Sequence, residues 1–337
     1  MLIFVYEFTC AAKSGNGLNS LGTEGWAMLS AVVQDLNRIP GVEVRSLLNA
    51  ELFPTHHGPH FLPIDPAKEE TIFRELAGKS DYTLVIAPEL DDILAARCDW
   101  VEQAGGTLLG SSIAAIRLTA DKIALGQHLG RKEIRTPVSW LFNSKERDSL
   151  FPAVLKPRFG AGSLETYLIQ SPDDWAHRLP RSEIANEPRA MIIQPFVSGQ
   201  AASVAFLIGP NQTLALPPAS QILSNDGRFH YLGGHVPLPH HLTDRAQRLA
   251  CRAVESVPGL HGYVGVDLVL GSSPDGSEDW VIEINPRLTT SYIGLRALAE
   301  SNLAQALIDI VIGKEVKPLK WRKGQVQFSS DGKVIRH

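Results

Sequence analysis

Residues 265–270 read GVDLVL, residues 271–279 read GSSPDGSED, and residues 280–287 read WVIEINPR. Two apolar runs around a segment of Gly, Ser, Asp and Pro predict a β-hairpin. Asp267 lies in the first run, and Glu283 and Asn285 lie in the second. Side chains at i and i+2 of a strand share a face, so Glu283 and Asn285 project together. A paired strand brings Asp267 beside them. Three oxygen-bearing side chains on an apolar hairpin suit a hard cation, and Mg²⁺ is typically held by one or two carboxylates together with nucleotide phosphates. A half-exposed hairpin with solvated acids would alternate in the same way. Against that alternative, Pro286 ends the strand just past the acids, and Arg287 adds a fork of donors shaped for phosphate.

Working back from the hairpin, FPAVLKPRFGAGS (151–163) is an apolar strand that ends at Lys156 and is stopped by Pro157. Gly160-Ala161-Gly162-Ser163 follows, and small residues let backbone N–H groups approach anionic oxygens. Lys156 reads either as a phosphate clamp or as a solvated lysine of an ordinary turn. Ser112 caps a helix through Leu118, and Thr119-Ala120-Asp121-Lys122 opens a second helix through Leu129. Thr136-Pro137 breaks the pattern and VSWLF is a strand. MIIQPFVSG (191–199) is a strand that runs into a hinge.

These motifs, in this order, resemble the ATP-grasp family of carboxylate–amine ligases. The resemblance covers roughly residues 111–313. It implies an ATP-grasp fold, α/β with an α+β C-terminal lobe, behind an N-terminal Rossmann-like pre-ATP-grasp lobe. It implies ATP and two Mg²⁺ ions, with Mn²⁺ as an alternative, on Asp267, Glu283 and Asn285. Lys122 and Lys156 take the places of the phosphate-binding lysines, and Gly160, Gly162 and Ser163 those of the loop over the triphosphate. Gln194, Phe196 and Val197 fall at the adenine hinge. Arg287 falls at the arginine that contacts phosphate or the reaction intermediate, so Arg287 and Lys156 are the implied catalytic residues. Gln200, Ala201 and Ala202 stand where the family often has a ribose-binding acid, which leaves that contact unassigned. The opening LIFVYEF, the P-x-x-x-Q-I-L stretch ending at Leu223, the Y-x-G-G run and NPRLTTSY are similar to the subgroup that joins tyramine to L-glutamate for methanofuran-type cofactors. Other amino-acid or peptide ligases, and a non-catalytic ATP-binding protein, are the alternatives. The last should lose an acid of the metal trio, and none is lost.

The rest of the chain supplies the frame. Residues 1–110 alternate strands (LIFVYEF, VEVRSLL, YTLVIAP) with helices near 24–38, 68–76 and 91–104, which predicts a parallel sheet. Lobes of 111–190 and 191–313 and a basic, weakly patterned tail of 314–337 complete the expected division. SVAFLIG and TLALPPASQIL read as antiparallel strands, and 225–239 as a loop with Tyr231, Gly233, Gly234 and His235 as candidate substrate contacts. Helices are expected at 244–256 and 303–312, and Thr289, Thr290 and Ser291 place hydroxyls near a helix N-terminus.

Three lures are set aside. Gly15-Asn16-Gly17 hints at a dinucleotide fingerprint, but Ser20 replaces the third glycine. Gly78-Lys79-Ser80 resembles the end of a P-loop, but Phe73 stands where its first glycine belongs. His56, His57 and His60 lie in a Pro/Gly loop without further zinc-ligand spacing.

Composition bounds the class. The 337 residues suit two or three lobes, and 44% hydrophobic with 20% charged residues predicts a globular chain. A net charge of −4 gives no footprint for nucleic acid. The apolar start meets Glu7 early and lacks a basic region, so it reads as a first strand, and no apolar run is long enough to span a membrane. Cys10, Cys98 and Cys251 are widely spaced and read as reduced residues of a cytoplasmic protein. Small-molecule carboxylate and amine partners are expected, and a homo-oligomer is left open.

Overall fold

The computed structural model describes residues 1–13, 19–55, 58–142, 151–174 and 190–337. The glycines Gly15 and Gly17, and His56 and His57, lie outside the described residues. Strands are numbered β1–β16 along the chain.

The N-terminal sheet is parallel, with order β3-β2-β1-β4, formed by β1 (Leu2–Glu7), β2 (Glu43–Asn49), β3 (Phe61–Ile64) and β4 (Tyr82–Ile86). β1 is buried almost throughout, as a central parallel strand covered on both faces should be. β3 was not anticipated, because FLPI is short and carries a proline. It is an edge strand, where a missing N–H is tolerated. The order reverses beside β1, and the carboxyl ends of β1 and β4 meet there. Open α/β sheets bind ligands at such a switch point. Gly78 lies inside the helix Glu69–Lys79 rather than in a phosphate loop, and the chain runs on into β4.

A four-stranded antiparallel sheet follows, in the order β5-β8-β6-β7: β5 (Trp140–Leu141), β6 (Ala153–Pro157), β7 (Tyr167–Ile169) and β8 (Met191–Pro195). Ser112 caps the helix Ile113–Ala120 by accepting from Ala115 N. Asp121 caps the next helix, Lys122–Arg131, by accepting from Ile123 N and Ala124 N, so the D-K pair is a cap and the first helical residue.

The largest sheet has the order β14-β13-β9-β11-β12-β15-β16, with β10 also paired to β9. Its strands are β9 (Gln200–Ile208), β10 (Thr213–Ala215), β11 (Ala219–Leu223), β12 (Tyr231–Val236), β13 (Gly262–Leu270), β14 (Trp280–Asn285), β15 (Val326–Ser329) and β16 (Val334–Arg336). Two expectations are corrected here. Residues 231–236 form a strand rather than loop, because Gly233 and Gly234 let the backbones of Phe328 and Ser220 close on both sides where any Cβ would collide. Residues 314–337 are not without pattern. Val326 and Phe328 alternate inward at 2% exposure each and carry β15 onto β12.

The helices Ser291–Leu298 and Leu303–Val311 pack one apolar face into the principal core, which continues into the helix Asn19–Leu36 of the N-terminal lobe. Asp35 fixes that junction, accepting from Tyr292 Oη at 2.9 Å and from Arg296 Nε at 2.7 Å. Among the described residues, no helix is long and apolar enough to cross a membrane.

Candidate functional site

The central sheet and the largest sheet face a cavity of about 410 Å³, within the range of small-molecule clefts, and Glu24 of the helix Asn19–Leu36 closes it from the N-terminal lobe. Its wall includes Lys122, Lys156, Gly160, Gly162, Ser163, Gln194, Phe196, Val197, Asp267, Glu283, Asn285 and Arg287. The residues assigned to the metal, nucleotide and catalytic roles therefore reach one space.

The hairpin forms as predicted, with β13 and β14 antiparallel and Asp267 directly opposite Glu283. A register shift follows Asp267, a local bulge beside the acid. Asn285 Nδ2 donates to Asp267 Oδ2 at 3.0 Å, and Gln221 Nε2, from β11, donates to Oδ1 at 2.8 Å. Burial, and then the facing Glu283 charge, push the Asp267 carboxyl well above the usual range. Glu283 feels the same burial, but the charges of Lys122 and Lys156 draw it below its ordinary value. Among the described residues there is no cluster of three or more His, Cys, Asp or Glu arranged to hold a metal. Two facing carboxylates and an amide nonetheless fit a hard cation that completes its shell with phosphate oxygens and water.

Lys156 faces the carboxylates from the central sheet, and Lys122 from the first position of the helix Lys122–Arg131. Lys156 is 7% exposed, the fourth residue of β6, opposite Ile192 of β8. Burial, and then the like charge of Lys122, lower its ammonium from 10.5 to about 8. Lys122 Nζ donates to Gly160 O at 2.9 Å and stands 3.8 Å from Glu283 Oε2. Arg158 ties the two lysine-bearing elements together. Its Nε donates to Asp121 Oδ1 at 2.8 Å and its Nη2 to Oδ2 at 2.5 Å. The intervening Gly162 has φ +64°, and Ser163 follows at φ +56°. A Cβ at Gly162 would meet Leu21 of the N-terminal lobe at 2.5 Å, so the loop closes against that lobe.

At the hinge, Gln194 is buried and accepts from Ser139 Oγ at 3.2 Å. Phe196 N donates to Pro152 O at 2.9 Å, and its ring stacks on Phe229 with centroids 6.1 Å apart. Gly199 and Ala201 line the cavity beside the hinge, and Gln200 is exposed, so none of the three supplies an acid for a ribose.

Arg287 is committed to Glu89 of the N-terminal lobe. Thr289, Thr290 and Ser291 line the cavity, and Tyr231 joins them, whereas His235, Gly233 and Gly234 are not part of the wall. Sequence reasoning missed Glu24, Glu89 and Phe229. Glu89 just past β4, at the switch point, was the one positional signal available.

The fold and wall together define a nucleotide-sized cleft of the ATP-grasp type. A model of the ATP-grasp domain matches residues 119–291, and one of the pre ATP-grasp 3 domain matches residues 42–116. The chain belongs to the ATP-grasp family. It is similar to the tyramine–L-glutamate ligases of Methanocaldococcus fervens, at 31% identity over 68% of this chain and 66% of the relative, and of Methanocaldococcus jannaschii, at 29% over 70% and 65%. The matched region thus spans about two thirds of the length of those curated relatives. A crystal structure of a putative ATP-grasp superfamily protein from Archaeoglobus fulgidus superposes with a TM-score of 0.72 at 27% identity, covering 97% of this chain and 92% of that one.

Proposed function

We propose that the chain is an ATP-dependent, ADP-forming carbon–nitrogen ligase that joins a carboxylate to an amine through an acyl phosphate. The observation that carries this reading is the meeting of Lys122 and Lys156 with Asp267, Glu283 and Asn285 in one cavity that Arg287 also lines. In the first step a substrate carboxylate oxygen attacks the γ-phosphorus of ATP and ADP leaves. In the second, the amine nitrogen attacks the acyl carbon, phosphate leaves with the C–O bond electrons, and the nitrogen sheds a proton.

Lys122 and Lys156 orient the phosphate oxygens for in-line transfer, and the backbone of residues 160–163 approaches them from above. Gln194, Phe196 and Val197 form the wall for the base. Asp267, Glu283 and Asn285 would hold Mg²⁺, or Mn²⁺, whose charge offsets that of the phosphates. Arg287 stabilises the oxyanion that develops at the acyl carbon. The lobes 1–110, 111–190 and 191–313 are the proposed working units, in a cytoplasmic protein with small-molecule partners.

For substrates we favour L-glutamate and tyramine, in methanofuran-type cofactor synthesis, supported by the names of the two curated relatives. Another amino-acid or peptide ligase is the second reading. The test is ADP release with ATP and Mg²⁺, with and without L-glutamate plus tyramine. ADP and phosphate only with both substrates are expected. Release with a different acid and amine would discard the substrates and keep the mechanism, and AMP with pyrophosphate would overturn the mechanism.

A further inference from the structure

One side of the cavity has no part in the chemistry above. Glu24, in the helix Asn19–Leu36, lines it beside Tyr231, Thr289 and Thr290. Its carboxylate accepts from the Thr290 hydroxyl. Among the described residues, no Lys, Arg or His nitrogen lies within 4.0 Å of it. Asp267, assigned to the ion site, shares this lack of a cation and accepts instead from two amides, whereas three other acids differ. Glu89 holds Arg287, Glu283 faces Lys122, and Asp121 holds Arg158. Burial pushes the Glu24 carboxyl up, and the Thr290 hydroxyl and the charge of Arg287 offset only part of this. Arg287 itself is forked onto Glu89 and is not free to turn to it.

Tyr231 stands within electrostatic reach of both Glu24 and Asp267, and burial and those charges hold its phenol well above the ordinary value. Its hydroxyl has no hydrogen-bond partner among the described residues. A carboxylate facing a cavity without a counter-ion is held at a cost, which a ligand carrying a cation and several N–H donors removes. An ammonium group is such a ligand, since it offers three donors and no acceptor.

We infer that Glu24 and Tyr231 form a subsite for the primary ammonium group of a substrate, on the N-terminal-lobe side of the cavity. The inference rests on the ligase reading, which supplies an amine-bearing substrate. Two sources share the chemistry, the α-ammonium of L-glutamate and the ammonium of tyramine.

The experiment is calorimetric titration of wild type and Glu24→Gln, each holding Mg²⁺ and a non-hydrolysable ATP analogue. The titrants are L-glutamate, tyramine and their deaminated analogues, glutarate and 4-ethylphenol. Glu24→Gln should weaken one of the two amines at least tenfold, leave its deaminated analogue unchanged and keep the nucleotide affinity within twofold. The amine affected identifies the source. Thr290→Val keeps the carboxylate and removes the bond that holds it, so it should weaken the amine less than Glu24→Gln does. Should Glu24→Gln fail to fold, Tyr231→Phe and the wild-type preference for amine over deaminated analogue carry the test. Equal affinities for an amine in wild type and Glu24→Gln, or no amine binding by the nucleotide-loaded wild type, would overturn the subsite. A nucleotide that fails to bind, or no ADP release when ATP itself replaces the analogue in the presence of substrates that bind, would instead count against the ligase reading.

Discussion

Arg287 and Glu89 meet as a forked ion pair, Nε to Oε1 and Nη2 to Oε2, both at 3.0 Å, between residues 198 apart in the chain. Their side chains are 14% and 5% exposed, so the pair is largely desolvated. Removing one partner of such a pair strands the other charge, at a typical cost of about 3–5 kcal/mol. Glu89→Ala should lower the free energy of unfolding by about that amount and free Arg287. Arg287→Ala should cost similar stability and lower turnover by about 10²–10³ with ATP affinity within a few fold. Denaturant titration and steady-state kinetics check both, and unchanged turnover would remove Arg287 from the mechanism.

Asp267 and Glu283 predict an inverse pattern. Without a cation, burial and Glu283 hold the Asp267 carboxyl well above its ordinary value. A raised carboxyl contributes stability that is present below the unfolded value of about 3.9 and lost as pH rises through the folded one. At neutral pH the ionised Asp267 carboxylate therefore costs stability. Asp267→Asn should stabilise the metal-free protein at pH 7. It should also abolish the extra thermal stabilisation that Mg²⁺ adds to ATP. Melting curves with and without Mg²⁺ decide, and a variant that still responds to Mg²⁺ would take Asp267 out of the ion site.

Lys156 gives the nucleotide cleft a pH dependence. Its ammonium titrates near 8, lowered first by burial and then by Lys122. For a lowered lysine the stability contribution is present above the unfolded value of about 10.4 and is lost as pH falls through the folded one. In the free protein this contribution grows between about pH 8 and 10.4. Phosphate oxygens favour the charged form, so ATP should bind with proton uptake near pH 8–9 and more weakly as pH rises. Calorimetry in buffers of different ionisation enthalpy reads the uptake. Lys156→Arg, which stays charged, should remove it, and equal uptake in wild type and variant would assign the proton elsewhere.

Asp121 and Arg158 hold the two lysines in register. Asp121 caps the helix that begins at Lys122 while gripping Arg158, two residues beyond Lys156. Asp121→Ala loses the cap, at about 1 kcal/mol, and the bridge with it. Asp121→Asn keeps much of the cap and loses the ion pair. Both should raise the KM for ATP several-fold, Asp121→Ala with the larger fall in stability. A double-mutant cycle with Arg158→Ala should show coupling, and additive effects on KM would deny the bridge a positioning role.

The sequence alone determined whatever depends on short spacings. The i, i+2 rule put Glu283 and Asn285 on one face, the polar turn paired Asp267 with them, and Asp121 announced the helix that starts at Lys122. Alternating strands and helices gave the parallel sheet of the first lobe, and the order of the motifs gave the family. Contacts between distant residues left no local mark. Gln221 reaches Asp267 over 46 residues, and Glu24 reaches Thr290 over 266. The strand order β13-β9-β11 brings Gln221 to Asp267, and the packing of the helix Asn19–Leu36 against the helix Ser291–Leu298 brings Glu24 to Thr290. The same reason explains β12 and β15. YLGGHV carries the glycines of a loop, and it is a strand because Phe328 and Ser220 close on both sides of it. Periodicity reports which face of an element is apolar, whereas the surface that meets that face is chosen by the rest of the chain.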